Sequence, residues 1–274
     1  MSTPWAVYDL LCDAVATAAG SAAAEEVLIG LVWTLCRGPA GTGLAMTPPA
    51  APRTLPWAGT LSGRPLAELA GWLRRFEPHE ATIGLAAANA AINTPANRAL
   101  ADATAVSSAA PGNLAVFSHF RPQLTGRRVV VIGRYPGLDA LLDGLDATVL
   151  ERQPGPGDLP DPACEYLLPE ADWVFLTASS LANKTFARLA ALSRHATTVL
   201  MGPGTPWLPA LAAFGIDYLA GVAIDDAARM RRTVAEGGGT RLFEGPVTYR
   251  IADLRERRAI AAADRDHSAS LSSV

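Results

Sequence analysis

Glu151 is the residue with the clearest chemical potential, because this carboxylate ends an apolar run, Ala147 to Leu150. An earlier apolar run, Val129 to Ile132, ends at Gly133, and Leu138 to Leu145 between the two runs has leucines at helical spacing. Strand, glycine turn, helix, strand and terminal acid form the first half of a nucleotide-binding unit, in which the acid accepts hydrogen bonds from a ribose diol. The pattern predicts a ribose-bearing ligand; an acid that merely ends a buried strand is the alternative.

The glycine turn limits what this ligand can be. A dinucleotide fingerprint needs three glycines, and only Gly133 and Gly137 are present. Because a pyrophosphate needs close backbone approach at a second glycine, a cofactor with a ribose and no pyrophosphate is favoured, and S-adenosylmethionine fits. We predict that it contacts Gly133, Arg134, Tyr135, Pro136, Glu151 and Arg152. The Tyr135 ring would lie against the sulfonium or the adenine, unless it simply faces solvent.

Two later strands also end in small and polar residues, at the edge of the sheet where ligands bind. These predicted strands are Ala171 to Leu176 and Thr197 to Met201. Hydroxyl and amide groups at such ends could bond a ligand or could equally cap the helix that follows. We assign Thr177, Ser179 and Ser180 to the cofactor, Asn183 to catalysis, and Gly202, Pro203, Thr205 and Pro206 to the substrate.

The first half of the chain contributes three candidates. Glu80 opens a helix, Ala81 to Ile92, in which Asn89 is the conspicuous polar residue. A buried amide without partners costs about 1–3 kcal/mol, so Asn89 must bond a substrate or the backbone of a neighbouring hairpin. Arg37 lies in the predicted hairpin turn. We predict catalytic roles for Glu80 and Arg37 and a substrate contact for Asn89; a helix-start acid is the alternative for Glu80.

Composition narrows the classes of function. The 274 residues are 50% hydrophobic with a net charge of −3, so neither nucleic acid nor an anionic membrane is an expected partner. Lys184 is the single lysine, and a Schiff base would have to use it. Three scattered cysteines and four separated histidines lack metal-ligand spacing. These features predict a soluble, cytoplasmic protein with a small-molecule substrate and no metal site, and they leave a homodimer open.

The order of elements predicts an α/β protein with two domains. Helical spacing over Trp5 to Ala19, a strand over Glu26 to Leu35 and a returning strand over Leu44 to Thr47 precede two further helices. From Val129 onward strands and helices alternate, which is typical of a mostly parallel sheet. We expect a small α+β domain over 1–110, the parallel-sheet domain over 111–255 and a flexible tail over 256–274.

Several stretches resemble the bacterial and archaeal family described as "putative heavy-metal chelation", in the same order from Glu25 to Phe243. The matching stretches are CRGPAGTG, FEPHEATIGLAAANAAIN, VVVIGRYPG, LLPEADWVFLTASSLANKTF, LMGPGTPWLPALAAFGIDYLAG and EGGG. The resemblance implies a first half like the N-terminal domain of enolases and a Rossmann-like second half with partial similarity to methyltransferases. It also implies a site between the halves and a role in making or handling a metal-chelating small molecule.

Individual positions match the motifs of that family. The family's glycine-aromatic-proline turn corresponds to Gly133, Tyr135 and Pro136, and its acid after the second strand corresponds to Glu151. Its T-x-x-x-x-x-N segment corresponds to Thr177, Ser180 and Asn183, and its G-P-S-T-P loop corresponds to Gly202, Pro203, Thr205 and Pro206. Its first-domain acid and amide correspond to Glu80 and Asn89. Gly204 replaces the serine of the loop, which removes one hydroxyl. Arg134 stands where relatives often have histidine or another residue.

Together these features favour an enzyme that binds S-adenosylmethionine and performs alkyl or aminocarboxypropyl transfer, or cyclisation, in the biosynthesis of a metal-chelating metabolite. Two rivals stay open. One is non-catalytic binding of a heavy metal or a metal chelate, with oxygen ligands. The other is condensation or hydrolysis of a pterin-like compound, with Glu80 as general acid or base.

Overall fold

The computed structural model describes residues 3–49 and 53–271 and contains two sheets, one in each half of the chain. The first half comprises α1 (Ala6–Ala19), β1 (Glu26–Ile29), β2 (Trp33–Arg37), β3 (Thr42–Met46), α2 (Leu66–Gly71) and α3 (Pro78–Ile92). Strands β1, β2 and β3 form an antiparallel sheet in that order. The α/β fold class with two sheets is therefore confirmed.

The predicted single strand over Glu26 to Leu35 is wrong, because the chain reverses between β1 and β2. Gly30 makes this turn possible at a crowded point. A Cβ at Gly30 would lie 2.3 Å from the backbone oxygen of Val234, which belongs to the second half. The turn thus needs glycine for the close approach of two backbones, a requirement that the strand-like composition conceals.

Helix α3 is the centre of the first half and is buried on nearly every face, as its composition predicts. A Cβ at Gly43 of β3 would lie 2.1 Å from the backbone oxygen of Ala86, and a Cβ at Gly84 would lie 2.4 Å from the backbone nitrogen of Leu73. Hairpin and helix therefore touch backbone to backbone. This close packing fixes the position of α3, and its Asn89 side chain reaches the second half.

The second half is built on a larger, mostly parallel sheet. Its elements are α4 (Arg98–Ala101), β4 (Thr104–Ala105), α5 (Ala115–Leu124), β5 (Val129–Ile132), α6 (Asp139–Leu142), β6 (Ala147–Glu151), β7 (Leu159–Pro160), α7 (Cys164–Leu167), β8 (Trp173–Thr177), α8 (Ser179–Ala182), α9 (Phe186–Leu192), β9 (Thr197–Met201), β10 (Tyr218–Ile224), α10 (Ala227–Ala235), β11 (Val247–Asp253) and α11 (Arg255–Leu271). The strand order is β4-β11-β10-β9-β8-β5-β6-β7. The six strands from β10 to β7 are parallel and follow the Rossmann order.

Several predicted boundaries in this half change. The helix expected over Leu138 to Leu145 shrinks to the single turn α6, and Gly144 at φ +74° lies in the left-handed region just beyond it. The helix expected from Asn183 begins only at Phe186. The part of the expected flexible tail that the structure describes, up to Leu271, is helical as α11, and β4 joins the larger sheet although it lies within the predicted first domain.

The two halves share one apolar core. Leu11 of α1 and Leu85 of α3 belong to the same buried cluster as Leu200, Trp207 and Leu219 of the second half. The first half consequently covers part of the larger sheet and of its carboxyl edge, the edge where a Rossmann-like protein binds its ligands.

Candidate functional site

Glu151 is held across the ends of β5 and β6 by two close backbone donors, and the N–H of Gln153 lies farther away, at 3.5 Å from Oε1. Its Oε2 accepts a hydrogen bond from the backbone N–H of Arg134 at 2.8 Å, and its Oε1 accepts one from Arg152 at 2.7 Å. Gly133, at φ +98°, makes the turn that aims the Arg134 N–H at the carboxylate. The glutamate is only half-buried, so each oxygen keeps acceptor capacity on its outer side.

The Arg134 side chain bridges the β5 turn and the loop that follows β6. Its guanidinium lies 2.7 Å from Asp139 and 3.4 Å from Asp158. Asp158 is 2% exposed, and its other oxygen accepts the backbone N–H of Gly155 at 3.0 Å. Arg134 and Glu151 therefore do meet at one place, as predicted, but the cation of Arg134 is already engaged by two carboxylates.

Tyr135 lies beneath the turn rather than on the rim. Its ring packs edge-on against Phe117, with ring centroids 5.1 Å apart. Its hydroxyl is buried near Thr177, has no hydrogen bond of normal geometry among the described residues, and burial raises its pKa to about 12. Tyr135 as a whole is only partly buried, so the expected contact of its ring with a sulfonium or an adenine stays a prediction. Pro136 is exposed, and its carbonyl accepts a hydrogen bond from Asn113 at 2.9 Å.

The end of β8 uses most of its polar groups locally. Thr177 Oγ1 accepts the Ser179 N–H at 3.4 Å, and the Ser179 hydroxyl points to the sulfur of Met46 at 3.6 Å. Asn183 Oδ1 accepts the backbone N–H of Thr185 at 3.1 Å and its hydroxyl at 2.7 Å, so this amide is used in a local turn before α9 and is not the N-cap of that helix. The Ser180 hydroxyl is buried without a partner among the described residues.

The end of β9 is closed by the first half. Gly202 to Trp207 is buried throughout, and helix α3 reaches it with asparagines. Asn89 Nδ2 donates to the carbonyls of Leu44 and Gly204, both at 2.9 Å. Asn93 donates to Thr205 O at 3.0 Å and accepts the Trp207 N–H at 2.9 Å. The predicted substrate contacts Asn89, Gly202, Thr205 and Pro206 are thus buried packing groups that join the halves, whereas Pro203 still borders a cleft.

Asn93 and Asn97 are members of this interface that the sequence interpretation missed. Asn97 Nδ2 donates to the carbonyl of Trp207 at 2.8 Å. Asn89 lies in α3, Asn93 follows its last residue, and Asn97 precedes α4. Three asparagines so close together after an apolar helix were a usable sign of a polar seam.

The two charged candidates of the first half do not join Glu151. Glu80 pairs with Arg75 at 2.7 Å, while its backbone N–H is capped by Glu77 at 2.6 Å. Glu80 and Asn89 are nine residues apart, about 2.5 helical turns, and therefore lie on opposite faces of α3. Arg37 is half-exposed and pairs with Glu25 at 3.3 Å. Glu80 therefore has the helix-start role that was its alternative.

Two features are absent from residues 3–49 and 53–271. No group of three or more His, Cys, Asp or Glu side chains is placed to hold a metal ion in that part of the chain. Within the same residues, no helix is long and apolar enough to cross a membrane.

The first half is a small antiparallel sheet with helices, and Asn89, Asn93 and Asn97 join it to a sheet in Rossmann order. This arrangement defines a two-part α/β protein whose larger sheet has an edge of the kind that binds ligands. Family patterns described as "Putative heavy-metal chelation" match residues 12–92 and 115–253. The chain belongs to this heavy-metal chelation family. No relative was found among curated proteins.

Two solved structures share the fold. A protein of unknown function from the same family in Desulfitobacterium hafniense is 32% identical, with a TM-score of 0.79 over 91% of this chain and 98% of that one. A family protein of unknown function from Pyrococcus horikoshii is 20% identical, with a TM-score of 0.74 over 90% of this chain and 99% of that one. The second likeness speaks for the fold alone.

Proposed function

We propose that this protein is an enzyme that binds S-adenosylmethionine at the ends of β5, β6 and β8. It would use the cofactor for alkyl or aminocarboxypropyl transfer, or cyclisation, in making a metal-chelating metabolite. The observation that carries the proposal is the carboxylate of Glu151, which two backbone N–H groups orient across the ends of β5 and β6. This is the place and the chemistry of a ribose-binding acid in a Rossmann-like sheet.

The residues at this edge fit the cofactor in part. Glu151 keeps outward acceptor capacity for the two ribose hydroxyls, and the turn at Gly133 offers a surface without a side chain. The Arg134 guanidinium, which spans to Asp158, crosses the region that the adenosyl group would enter. Arg134 is 30% exposed, so its side chain can move into solvent when a ligand binds. The cofactor would therefore displace the Arg134 ion pairs.

When bound, S-adenosylmethionine supplies an electrophilic carbon beside its sulfonium. The side chains at this edge act by position: Glu151 would set the ribose, and Arg152 with Asp161, 3.5 Å apart, would border the adenine side. Holding two reactants in line accounts for much of the acceleration of a bimolecular transfer. Glu80 has no part in this scheme, because it lies on the face of α3 opposite to Asn89.

Calorimetric titration of the purified protein with S-adenosylmethionine and S-adenosylhomocysteine tests the proposal. We expect micromolar binding that weakens about 10- to 100-fold in Glu151→Gln, since hydrogen bonds to a charged acceptor are worth about 1.5–3 kcal/mol. The matched control is Glu170→Gln, an exposed surface acid that pairs with Arg128, and it should bind as the wild type does. Absence of heat with both ligands, in a folded protein, would overturn the proposal.

Arg134→Ala is a second test of ligand binding at the same site. The backbone N–H that bonds Glu151 is kept in this variant, while the cation that crosses the entrance is removed. We expect affinity for S-adenosylhomocysteine to rise by a few-fold, because no ion pair has to be broken on binding. A loss of affinity would instead show that the Arg134 guanidinium itself holds the ligand, and the displacement step would then be wrong.

A further inference from the structure

A second opening lies on the same sheet edge, between the two halves and beyond the end of β10. It is a cleft of about 450 Å³, bordered by Ala40 and Thr42 of the hairpin, Asn93 at the end of α3, Ile224 of β10, Ala227 of α10 and Arg250 of β11. Clefts of roughly 300–1,000 Å³ are the usual size of small-molecule sites. From β6, which carries Glu151, to β10 there are four strand spacings, so the cleft lies about 19 Å from Glu151 along the edge.

Arg250 is the charged side chain among the residues that border this cleft. Its Nη1 donates to the carbonyl of Ala103 at 3.3 Å, and no carboxylate of the described residues forms an ion pair with it. Two acids that follow β10 have hydrogen bonds of their own: Asp225 accepts the hydroxyl of Thr248 at 2.6 Å, and Asp226 accepts the Arg229 N–H at 2.8 Å. Nε and Nη2 of Arg250 are consequently available to an anion.

Helix α10 adds a second positive contribution at the same place. The nine-residue helix begins at Ala227, on the wall of the cleft, and the Asp226 side chain caps only the Arg229 N–H. The N–H groups of Ala227 and Ala228 have no intrahelical partner, and the N-terminal end of a helix carries a partial positive charge. The rest of the wall consists largely of small and aliphatic side chains.

We propose that this cleft binds a small carboxylic acid, with the carboxylate on Arg250 and a compact, partly apolar body against the hairpin. A planar guanidinium with two free donors suits a carboxylate, and a single arginine matches its single charge. A ligand here would touch both halves at once, since the hairpin forms one wall and β10 with β11 the other. The proposal rests on the cleft and Arg250 alone and stands whether or not an adenosyl cofactor binds at Glu151.

The test is calorimetric titration of the full-length protein, at low ionic strength, with propionate, isobutyrate and lactate, each beside its uncharged amide. We expect at least one acid to bind while its amide does not. Arg250→Met should weaken that acid by about 10- to 100-fold, the value of a charge-assisted pair. Arg232→Met removes a cation from the exposed surface of α10 instead and should change nothing.

A second variant keeps the proposal testable if Arg250→Met does not fold. Ala40 is exposed and borders the cleft, so Ala40→Phe should fill the opening and abolish binding while Arg250 stays in place; Ala40→Ser should bind normally. If no acid binds the wild type, or if binding survives both Arg250→Met and Ala40→Phe, the proposal is wrong. Titration of Arg250→Met with S-adenosylhomocysteine separates this outcome from failure at Glu151.

Discussion

Two sets of strand ends in the same parallel sheet carry similar small and polar residues, but one set is covered by the first half and the other is not. At the end of β9, Gly202 to Trp207 is buried, and Asn89, Asn93 and Asn97 bond its carbonyls or N–H groups. At the ends of β5 and β6, Glu151 is half-buried and uses only backbone donors of its own half. A polar strand end is thus free for a ligand only where the other half of the molecule leaves it uncovered.

Among the substitutions that test this contrast, Asn89→Ala should have the largest effect on stability. The substitution removes the donor to the buried carbonyls of Leu44 and Gly204. We expect the free energy of unfolding to fall by about 2–4 kcal/mol, because each buried acceptor left unsatisfied costs about 1–3 kcal/mol. Urea denaturation measures this loss.

Asn183→Ala is the matched control, since the amide of this asparagine bonds within a half-buried turn at the β8 end and its loss should cost only about 1 kcal/mol. Equal losses in the two variants would contradict the idea that the β9 end is a packing seam.

The end of β8 is intermediate in burial between these two sets of strand ends, and the pKa of Lys184 makes this burial measurable. The amine is half-buried, donates to Ala182 O at 2.9 Å and lies 5.2 Å from the centre of the Tyr8 ring. Desolvation lowers its pKa to about 8 from 10.5. Between these values the unfolded chain binds more protons, so this group adds stability as pH rises from about 8 toward 10.5.

Below pH 8 the full cost of the buried charge is present, so Lys184→Met should be more stable than the wild type there. Because the site is only half-buried, we expect a gain of about 1 kcal/mol. The gain should shrink between pH 8 and 9.5, as measured by urea denaturation at each pH. A difference that does not vary with pH would mean that the amine is well solvated in the folded protein.

The smallest expected effect is that of a substitution that strengthens the packing at the β9 end instead of disrupting it. Gly204 has no left-handed φ, and a Cβ there would meet its nearest neighbour, Leu44 O, at 3.5 Å, an ordinary contact. Asn89 Oδ1 is buried nearby without a partner among the described residues. Gly204→Ser should therefore stabilise the protein by about 0.5–1.5 kcal/mol, through a new hydrogen bond and a stiffer unfolded chain.

Gly204→Ala separates the two contributions, because alanine stiffens the unfolded chain but has no hydroxyl. Thermal unfolding of both variants should rank serine above alanine and alanine above glycine. If serine and alanine are equal, the Asn89 oxygen does not gain a partner and the hydrogen-bond argument fails.

Much of the fold could be predicted from local pattern. The runs at Val129 to Ile132 and Ala147 to Leu150, and the apolar helix up to Ile92, follow hydrophobic periodicity that any segment carries by itself. Strand β11 and the reversal at Gly30 were missed. The reversal depends on a contact with Val234, some two hundred residues away, and such contacts leave no trace in a short window.

The sequence by itself determined the strand, the glycine turn and the acid at Glu151, because residues close along the chain produce them. It also contained the four-residue spacing of Asn89, Asn93 and Asn97, and the position of Glu80 on the opposite face of α3. Only the tertiary structure decided that the β9 end is closed, that Tyr135 lies beneath its turn, and that Arg250 faces a cleft. The physical reason is that accessibility depends on which surfaces bury each other, and long-range packing of the two halves sets that.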